Sequence, residues 1–334
     1  MKKIIIFCQA PLDLIYVLWL YEKNKAISCI DIYVVGVQAN YEFLLSLGLT
    51  GCNIRFIPLL SFKSPINIVT TRYRLSSVYQ SDFAQINNAT VFFFSNYCDY
   101  ATMYFVNKLH SNNKVIFIDH YDIRSQKRFR ISFLNWLKRN IIKFVSGLDC
   151  YFSLEKNFVT FNAETFEKLR INVWNDKCLL EKYLVKVDVD GKKSAIIFDG
   201  NDQAEEQYLN YTSLVSDIVK FIADNGYVVF IKPHPRMGCS KVFYKLPVTV
   251  LSQSYPAEFL DAKQFDIVLG GTSLALIKFF HEKNGGVFSY LELIEFKRQN
   301  EKNEYRKYLQ RMTDGKIKFI HDIREIIPCK QEGF

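Results

Sequence analysis

A histidine between two prolines, with a cation on each side, is the group in this sequence best suited to acid–base or phosphate chemistry. It stands in Lys232-Pro233-His234-Pro235-Arg236, directly after an apolar stretch of strand character. Proline holds its φ at about −65° and disfavours helix at the preceding residue, so the imidazole sits on a stiff turn at a strand end. Ligands of open α/β sheets bind just beyond such ends. The pattern predicts a cradle for a phosphate or an anionic sugar, and by itself fits a β-turn with a surface histidine equally well.

A second candidate is Gly270-Gly271-Thr272-Ser273, which follows a strand-like stretch and opens an apolar helix. Glycine lets a ligand approach the backbone, Thr272 or Ser273 can cap the helix, and free N–H groups at a helix start attract anions. An ordinary capped turn explains the four residues alone. Their place after the histidine strand, in the same half of the chain, favours anion binding by Gly271, Thr272 and Ser273.

Two carboxylates are candidates for hydrogen bonding and for base catalysis. Glu258, in a Pro-Ala-Glu sequence at a predicted helix start, can accept hydrogen bonds from ribose hydroxyls or simply suit the helix dipole. Asp119 follows a predicted strand of the first half, with Asp122 close behind. A carboxylate there can act as general base toward an acceptor hydroxyl, and a solvated aspartate is the competing interpretation.

The elements that must position these groups are short apolar runs alternating with helical patterns. This alternation predicts parallel sheets built from βαβ units. Strands are predicted at 4–8, 31–35, 53–57, 90–94, 114–118, 194–199, 227–232, 248–251, 265–269, 286–289 and 316–320. Helices of the second half are predicted near 203–224, 257–262 and 274–282, with a terminal helix from Asp322. The fold class is therefore α/β, with two Rossmann-like domains facing across a cleft.

The domain boundaries follow from this alternation. Residues 1–153 are predicted to form the first domain, 154–193 a linker region, and 194–334 the second domain. A chain of 334 residues suits two domains of ordinary size. The chain lacks a G-x-x-x-x-G-K-[ST] loop, a G-x-G-x-x-G turn and a G-x-S-x-G elbow, which disfavours P-loop kinases, ordinary dinucleotide dehydrogenases and α/β-hydrolases.

Composition limits the partners and the compartment. The formal net charge of +9 favours an anionic partner. The eight cysteines form no Cys-x-x-Cys pair and no cluster with zinc-like spacing, which predicts reduced thiols, no metal site and a cytoplasmic protein. Residues 127–148, from Lys127 to Leu148, carry six cations and no acid among aromatic and aliphatic residues. That pattern fits a peripheral helix at the inner face of the cytoplasmic membrane or an interdomain helix with a basic face; no module for nucleic acid accompanies it.

Together these features resemble the bacterial sialyltransferases of the two-Rossmann (GT-B) type. The resemblance is closest to the lipooligosaccharide sialyltransferases of glycosyltransferase family 52, and more distant to family 80 and the capsular polysialyltransferases. Residues 7–12, Phe-Cys-Gln-Ala-Pro-Leu, are similar to that family's opening strand and Cys-x-Thr-Pro-Leu-Gln sequence. His234-Pro235 followed by Arg236 resembles its HP motif, and residues 256–274 resemble the stretch with a ribose-binding glutamate and a serine motif.

The resemblance implies an inverting, metal-independent transfer of sialic acid from CMP-sialic acid to a hydroxyl of an oligosaccharide or glycolipid. His234 would then meet the CMP phosphate, supported by Lys232 and Arg236, and Glu258 would hold the ribose. Thr272 and Ser273 would bind the phosphate or the sialyl carboxylate. The chain would need no cofactor besides this donor substrate.

One departure concerns the base. The family usually has two acids and a glycine at the end of a first-domain strand, whereas this chain has Ile118-Asp119-His120. Asp119 is the expected base, with Asp122, Glu205 and Glu206 as alternatives; Asp199-Gly200 resembles the pattern but ends a strand of the second half. The remaining alternatives are a GT-B enzyme with CMP-Kdo or a UDP-sugar as donor, and a non-catalytic glycan-binding relative.

Overall fold

The structure is a computed structural model that describes residues 2–58, 65–94, 100–118, 166–169, 176–200, 204–273, 275–283 and 285–327, with five further positions between 137 and 144. The chain divides into two compact units, Met1–Lys182 and Tyr183–Phe334. The division falls inside the predicted linker region 154–193.

The first unit contains a six-stranded parallel sheet in the order β3-β2-β1-β4-β5-β6. Its strands are β1 (Lys2–Cys8), β2 (Ser28–Val35), β3 (Cys52–Ile57), β4 (Thr90–Phe94), β5 (Lys114–Ile118) and β6 (Phe166–Leu169). Its helices are α1 (Asp13–Asn24), α2 (Gln38–Ser46), α3 (Pro65–Val78), α4 (Tyr100–Leu109) and the short α5 (Lys177–Leu180). One face of the sheet packs on an aromatic core that includes Phe7, Tyr33, Phe83, Phe93, Phe105 and Phe117.

The second unit repeats the plan with the order β12-β11-β10-β7-β8-β9, again all parallel. Its strands are β7 (Ser194–Phe198), β8 (Val228–Lys232), β9 (Thr249–Val250), β10 (Ile267–Gly270), β11 (Val287–Ser289) and β12 (Lys318–Phe319). Its α-helices are α6 (Ala204–Gln207), α7 (Tyr211–Asp224), α8 (Ala275–Glu282) and α9 (Gln299–Met312). In α7 the buried residues recur at three- and four-residue spacing, which gives the helix one apolar face toward the sheet.

Both sheets have the Rossmann strand order, in which the first strand lies at the centre and the chain crosses to its other side after the third. The switch points are therefore β1/β4 in the first unit and β7/β10 in the second. The predicted fold class of two Rossmann-like α/β domains is confirmed.

Five details of the predicted elements are wrong. The helix expected at 203–224 is two helices, Ala204–Gln207 and Tyr211–Asp224. The strand expected at 316–320 is only Lys318–Phe319. The helix expected at 257–262 is a pair of 3₁₀ turns, Ala257–Phe259 and Ala262–Gln264. The terminal helix expected from Asp322 is the single 3₁₀ turn Ile323–Ile326, for which Asp322 and Glu325 form a capping box. The strand expected at 248–251 is only Thr249–Val250.

Candidate functional site

The predicted donor-binding residues of the second unit come together at the carboxyl edge of its sheet. Gly270 at the end of β10 pairs with Phe198 of β7, and Phe198 pairs with Lys232 of β8. The loops after these strands therefore leave the sheet side by side, with about 5 Å between neighbouring strands. The His234 turn and the Gly271 loop flank the β7 loop at the switch point, where Rossmann domains bind ligands.

The His234 turn is a closed loop of five residues. The His234 N–H donates to the Gly238 carbonyl at 2.9 Å, and the Gly238 N–H donates to the His234 carbonyl at 3.0 Å. Gly238 has a φ of +77°, a conformation that favours glycine. Gln253 of the next loop donates to the Pro235 carbonyl at 2.9 Å and holds the turn from outside.

This turn determines which nitrogen of the His234 ring carries the proton. Nδ1 accepts hydrogen bonds from the N–H groups of Arg236 at 3.2 Å and Met237 at 3.3 Å. A neutral imidazole has one donor and one acceptor nitrogen, so the proton is assigned to Nε2. The His234 ring is half-buried, and the Arg236 side chain is exposed.

Lys232 supports the turn from inside the domain. Its side chain is 3% exposed and its Nζ donates to the Pro233 carbonyl at 2.7 Å. Burial lowers the pKa of Lys232 to about 8, and the nearby carboxylate of Glu258 opposes that shift. The lysine thus holds the peptide that precedes His234, and its direct contact with a donor stays a prediction.

Glu258 lies in a setting of buried charge. Its Oε2 atom is buried, and its charge favours the protonated forms of Lys232 and Lys278. Lys278 is itself buried, donates to the Leu260 carbonyl at 2.5 Å and pairs with Glu282 at 2.8 Å. Burial lowers the pKa of Lys278 despite these partners. Burial of its carboxylate and attraction to Lys232 and Lys278 therefore hold Glu258 in position. Its contact with a ribose stays a prediction.

The Gly271 loop combines close packing with a helix cap. A Cβ atom at Gly271 would lie 2.5 Å from Cδ1 of Ile294 and 3.0 Å from the Tyr290 ring, so a larger residue requires the Ile294 side chain to shift. The Ser273 hydroxyl accepts from the Ala275 N–H at 3.3 Å at the start of α8, which confirms the capping interpretation for Ser273. The Thr272 side chain is partly exposed on the same loop. Donor binding by these residues stays a prediction.

Asp199, which sequence reasoning set aside, organises this edge of the sheet. Its buried carboxylate accepts the Ser240 N–H at 2.6 Å, the Ser240 hydroxyl at 2.8 Å and the Tyr211 hydroxyl. Burial raises the pKa of Asp199, and the hydrogen bonds from Tyr211 and Ser240 work against that rise. Since Ser240 follows Gly238 by two residues, Asp199 fixes the base of the His234 turn.

Tyr211 links Asp199 to the next residue of the β7 loop. Its hydroxyl donates to Asp199 and accepts from the Gly200 N–H at 3.4 Å. Asp199 and Tyr211 thus connect the loops after β7 and β8 with helix α7. An acid directly after a strand at the switch point is the signal that could have identified this role from the sequence.

The carboxylates considered as base fall in different places. Asp119 and Asp122 lie outside the described residues, which reach Ile118 at the end of β5. Glu205 and Glu206 are exposed on α6, and Glu205 lines a cavity of about 370 Å³ at the start of α7. The base assignment therefore stays a prediction from the sequence.

In the first unit, the loop after the first strand, between β1 and α1, already binds a carboxylate of its own chain. Asp13, buried at the start of α1, accepts the N–H groups of Gln9 and Ala10 at 2.7 Å each. In a nucleotide-binding Rossmann domain the N–H groups of this first loop receive phosphate. A carboxylate already bound there repels a phosphate, so the phosphate site is better sought in the second unit.

Two acidic residues of the second unit have the spacing of a metal-binding pair. Asp188 and Asp190 form an Asp-x-Asp pair, but they lie in an exposed turn where the Asp190 N–H donates to Asp188 at 3.0 Å. Among the described residues, no three His, Cys, Asp or Glu side chains are grouped to hold a metal ion. Within the same part of the chain, no helix is both long and apolar enough to cross a membrane. Most of the segment 127–148 lies outside the described residues.

Comparison with known proteins shows the fold. No protein-family model and no curated protein matches the chain. UDP-N-acetylglucosamine 2-epimerase from Rickettsia bellii is 11% identical with a TM-score of 0.51, over 97% of this chain and 90% of that one. UGT89C1 from Arabidopsis thaliana, complexed with UDP-L-rhamnose, is 10% identical with a TM-score of 0.50, over 97% and 88%. The glycosyltransferase SnogD from Streptomyces nogalater is 10% identical with a TM-score of 0.45, over 95% and 96%.

The similarities to the epimerase and to UGT89C1 support a fold of two Rossmann-like domains in one chain. An identity of about one residue in ten shows the fold and not the reaction or its substrates.

Proposed function

We propose that this protein is an inverting glycosyltransferase that transfers sialic acid from CMP-sialic acid to a hydroxyl of a bacterial lipooligosaccharide or capsule glycan. The observation that supports the proposal is the His234 ring, whose Nδ1 accepts from two backbone N–H groups, on the turn that follows β8 beside the switch point. The choice of donor rests on the sequence resemblance, in which His234-Pro235, Glu258 and Thr272-Ser273 occur in the family's order.

The proposed role of His234 is to bind and stabilise the leaving CMP. When the bond between the anomeric carbon and the phosphate oxygen breaks, negative charge grows on the phosphate. A donor already aimed at that oxygen stabilises the transition state more than the ground state. The Nε2–H of His234 is such a donor, and the exposed Arg236 guanidinium adds positive charge beside it.

The rest of the donor would contact groups at the same edge. Ser273 accepts one hydrogen bond and still carries its own O–H, which can donate to the phosphate or the sialyl carboxylate. Thr272 lies next to it on the same loop. Glu258 would accept from the ribose hydroxyls.

The proposed base takes the proton of the acceptor hydroxyl as its oxygen attacks the anomeric carbon from the side opposite CMP. One such displacement inverts the configuration at that carbon. Asp119 is the proposed base, and the alternatives are Asp122, Glu205 and Glu206. Substituting each carboxylate singly and comparing the loss of turnover would rank them.

Calorimetric titration of the full chain with CMP and with UDP tests the donor site. Loss of one hydrogen bond to a charged group costs about 1.5–3 kcal/mol, so His234→Ala should weaken CMP binding by about 10- to 150-fold. His321→Ala, at an exposed position of the same unit, is the matched control and should bind CMP like the unaltered protein.

Each outcome decides between the candidate functions. Binding of CMP that depends on His234 supports the proposal. Tighter binding of UDP would retain a transferase and replace the donor. Binding of neither nucleotide would contradict the transferase and favour a non-catalytic glycan-binding protein.

A further inference from the structure

Helix α3 of the first unit has an apolar face that is turned away from the domain. Leu75 and Thr71 are buried on its inner side. Ile66, Val69 and Tyr73 are between 67% and 75% exposed. At about 100° per residue these three lie within about 60° of one another around the helix axis, on the side opposite Leu75. They form one continuous stripe along two turns of helix.

Arginines flank this stripe on both sides. Arg72 and Arg74 are exposed, and α3 contains no acidic residue. The helical spacing puts Arg72 beside Val69 and Arg74 beyond Ile66, at opposite borders of the stripe. Long cationic side chains at such borders can lie along an apolar surface and direct their charge to its edge.

We propose that this α3 face, formed by Ile66, Val69, Tyr73, Arg72 and Arg74, binds the surface of an anionic lipid bilayer. Helices that lie in a bilayer interface bury an apolar stripe at the acyl boundary, and flanking cations pair with lipid phosphates. Tyr73 has the apolar body and polar tip favoured at that depth. This surface is distinct from the segment 127–148 and does not depend on the proposed reaction.

Charge and size argue against a second copy of the chain as the occupant. In a two-fold pair of α3 faces, each stripe would meet the other with its arginines close to the partner's arginines, and like charges repel. A stable protein interface buries about 800 Å² on each partner, which three side chains do not supply. An anionic surface complements the arginines and accepts a small apolar stripe.

Vesicle co-sedimentation of the full chain tests the proposal. The probes are vesicles of phosphatidylcholine alone and vesicles with about one third phosphatidylglycerol. We expect binding to the anionic vesicles only, reduced at least about tenfold by Ile66→Ser, Val69→Ser and Tyr73→Ser together. The matched control changes Ile27, Leu209 and Tyr244 to serine, since these side chains are between 67% and 69% exposed elsewhere on the protein; it should bind as the unaltered chain does.

A charge-matched pair separates this face from the general positive charge. Arg72→Glu with Arg74→Glu should abolish binding, whereas Lys192→Glu with Lys220→Glu, at exposed positions of the second unit, should change it less than twofold. Equal losses in the two pairs, or no binding to either vesicle, would overturn the proposal. Concentration-dependent dimers that the serine substitutions on α3 abolish would overturn it in favour of a second copy. The α3 variants should bind CMP like the unaltered protein, so CMP titration distinguishes a failure of this proposal from a failure of the proposed function.

Discussion

Replacing Asp199 with alanine removes the acceptor that ties the loops after β7 and β8 to helix α7. The substitution leaves the buried Ser240 N–H, the Ser240 hydroxyl and the Tyr211 hydroxyl without this partner. Each unsatisfied buried donor costs about 1–3 kcal/mol, although hydroxyls can turn to other acceptors. Burial raises the pKa of Asp199 because the charged carboxylate has lost its contact with water. Alanine carries no such charge, which offsets part of the cost. We therefore expect a loss of about 2–4 kcal/mol from the roughly 5–15 kcal/mol that stabilises a typical domain.

The assay must report on the second unit by itself. All three tryptophans, Trp19, Trp136 and Trp174, belong to Met1–Lys182, so tryptophan fluorescence follows the first unit. Hydrogen exchange by mass spectrometry resolves both. A loss of about 2–4 kcal/mol speeds exchange in core peptides of the second unit by about 30- to 900-fold. Peptides of the first unit should exchange as before.

Two further variants test the expected effect of Asp199→Ala. Asp199→Asn keeps the shape and one acceptor oxygen, and the hydroxyls can reverse their bonds, so we expect a cost of about 1 kcal/mol. Asp217→Ala, at an exposed position of α7, should have almost no effect. If Asp199→Ala exchanged no faster than Asp217→Ala, the network would not hold these loops. CMP affinity should fall in the order of the exchange effects, because the His234 turn loosens with Ser240.

Three further predictions concern single buried groups. Folding lowers the pKa of Lys232 from 10.5 to about 8, so the charged lysine destabilises the folded state below pH 8, and this cost disappears by pH 10.5. Between these pH values the free energy of unfolding of the unaltered protein should rise by up to about 3 kcal/mol relative to that of Lys232→Met. Denaturant midpoints of the second unit measure the difference. Gly271→Ala should cost about 1–3 kcal/mol, because its Cβ overlaps the Ile294 side chain, and a melting curve that stays unchanged would contradict the packing. Asp13→Ala should cost about 1–3 kcal/mol through the two freed N–H groups of the β1–α1 loop, measured by urea unfolding followed at Trp19; Asp13→Asn should recover part of it.

The fold was largely predictable because its strands are short, apolar and separated by helical patterns. The exceptions are elements whose stability comes from distant contacts. β6, Phe-Glu-Lys-Leu, has two charged residues in four and is held by backbone pairing with β5. α9 is mostly polar and buries only Tyr308 and Leu309, so its sequence carries little apolar periodicity. The turn Ala257–Phe259 is fixed by the Val185 N–H, which donates to the Phe259 carbonyl at 2.6 Å.

The positions of the candidate residues in the fold were predictable, and their side-chain contacts were less so. The prolines and the strand end placed the His234 turn correctly, because both act locally. Whether Lys232 pointed to solvent or into the domain depended on which face of the sheet α8 covers, which local sequence does not report. The role of Asp199 required Ser240, 41 residues further along the chain, to return to the end of β7. Such long-range partners are visible only in the folded chain.

The most direct test of the central claim is the ¹⁵N spectrum of the His234 ring during titration with CMP. The protein contains five histidines, so His234→Ala assigns the signal by its absence. We predict a neutral ring protonated at Nε2 in the free protein, with the Nε2 and its proton shifted by CMP and left in place by UDP. A ring protonated at Nδ1, or a His234 signal that CMP does not move, would contradict the account of this site.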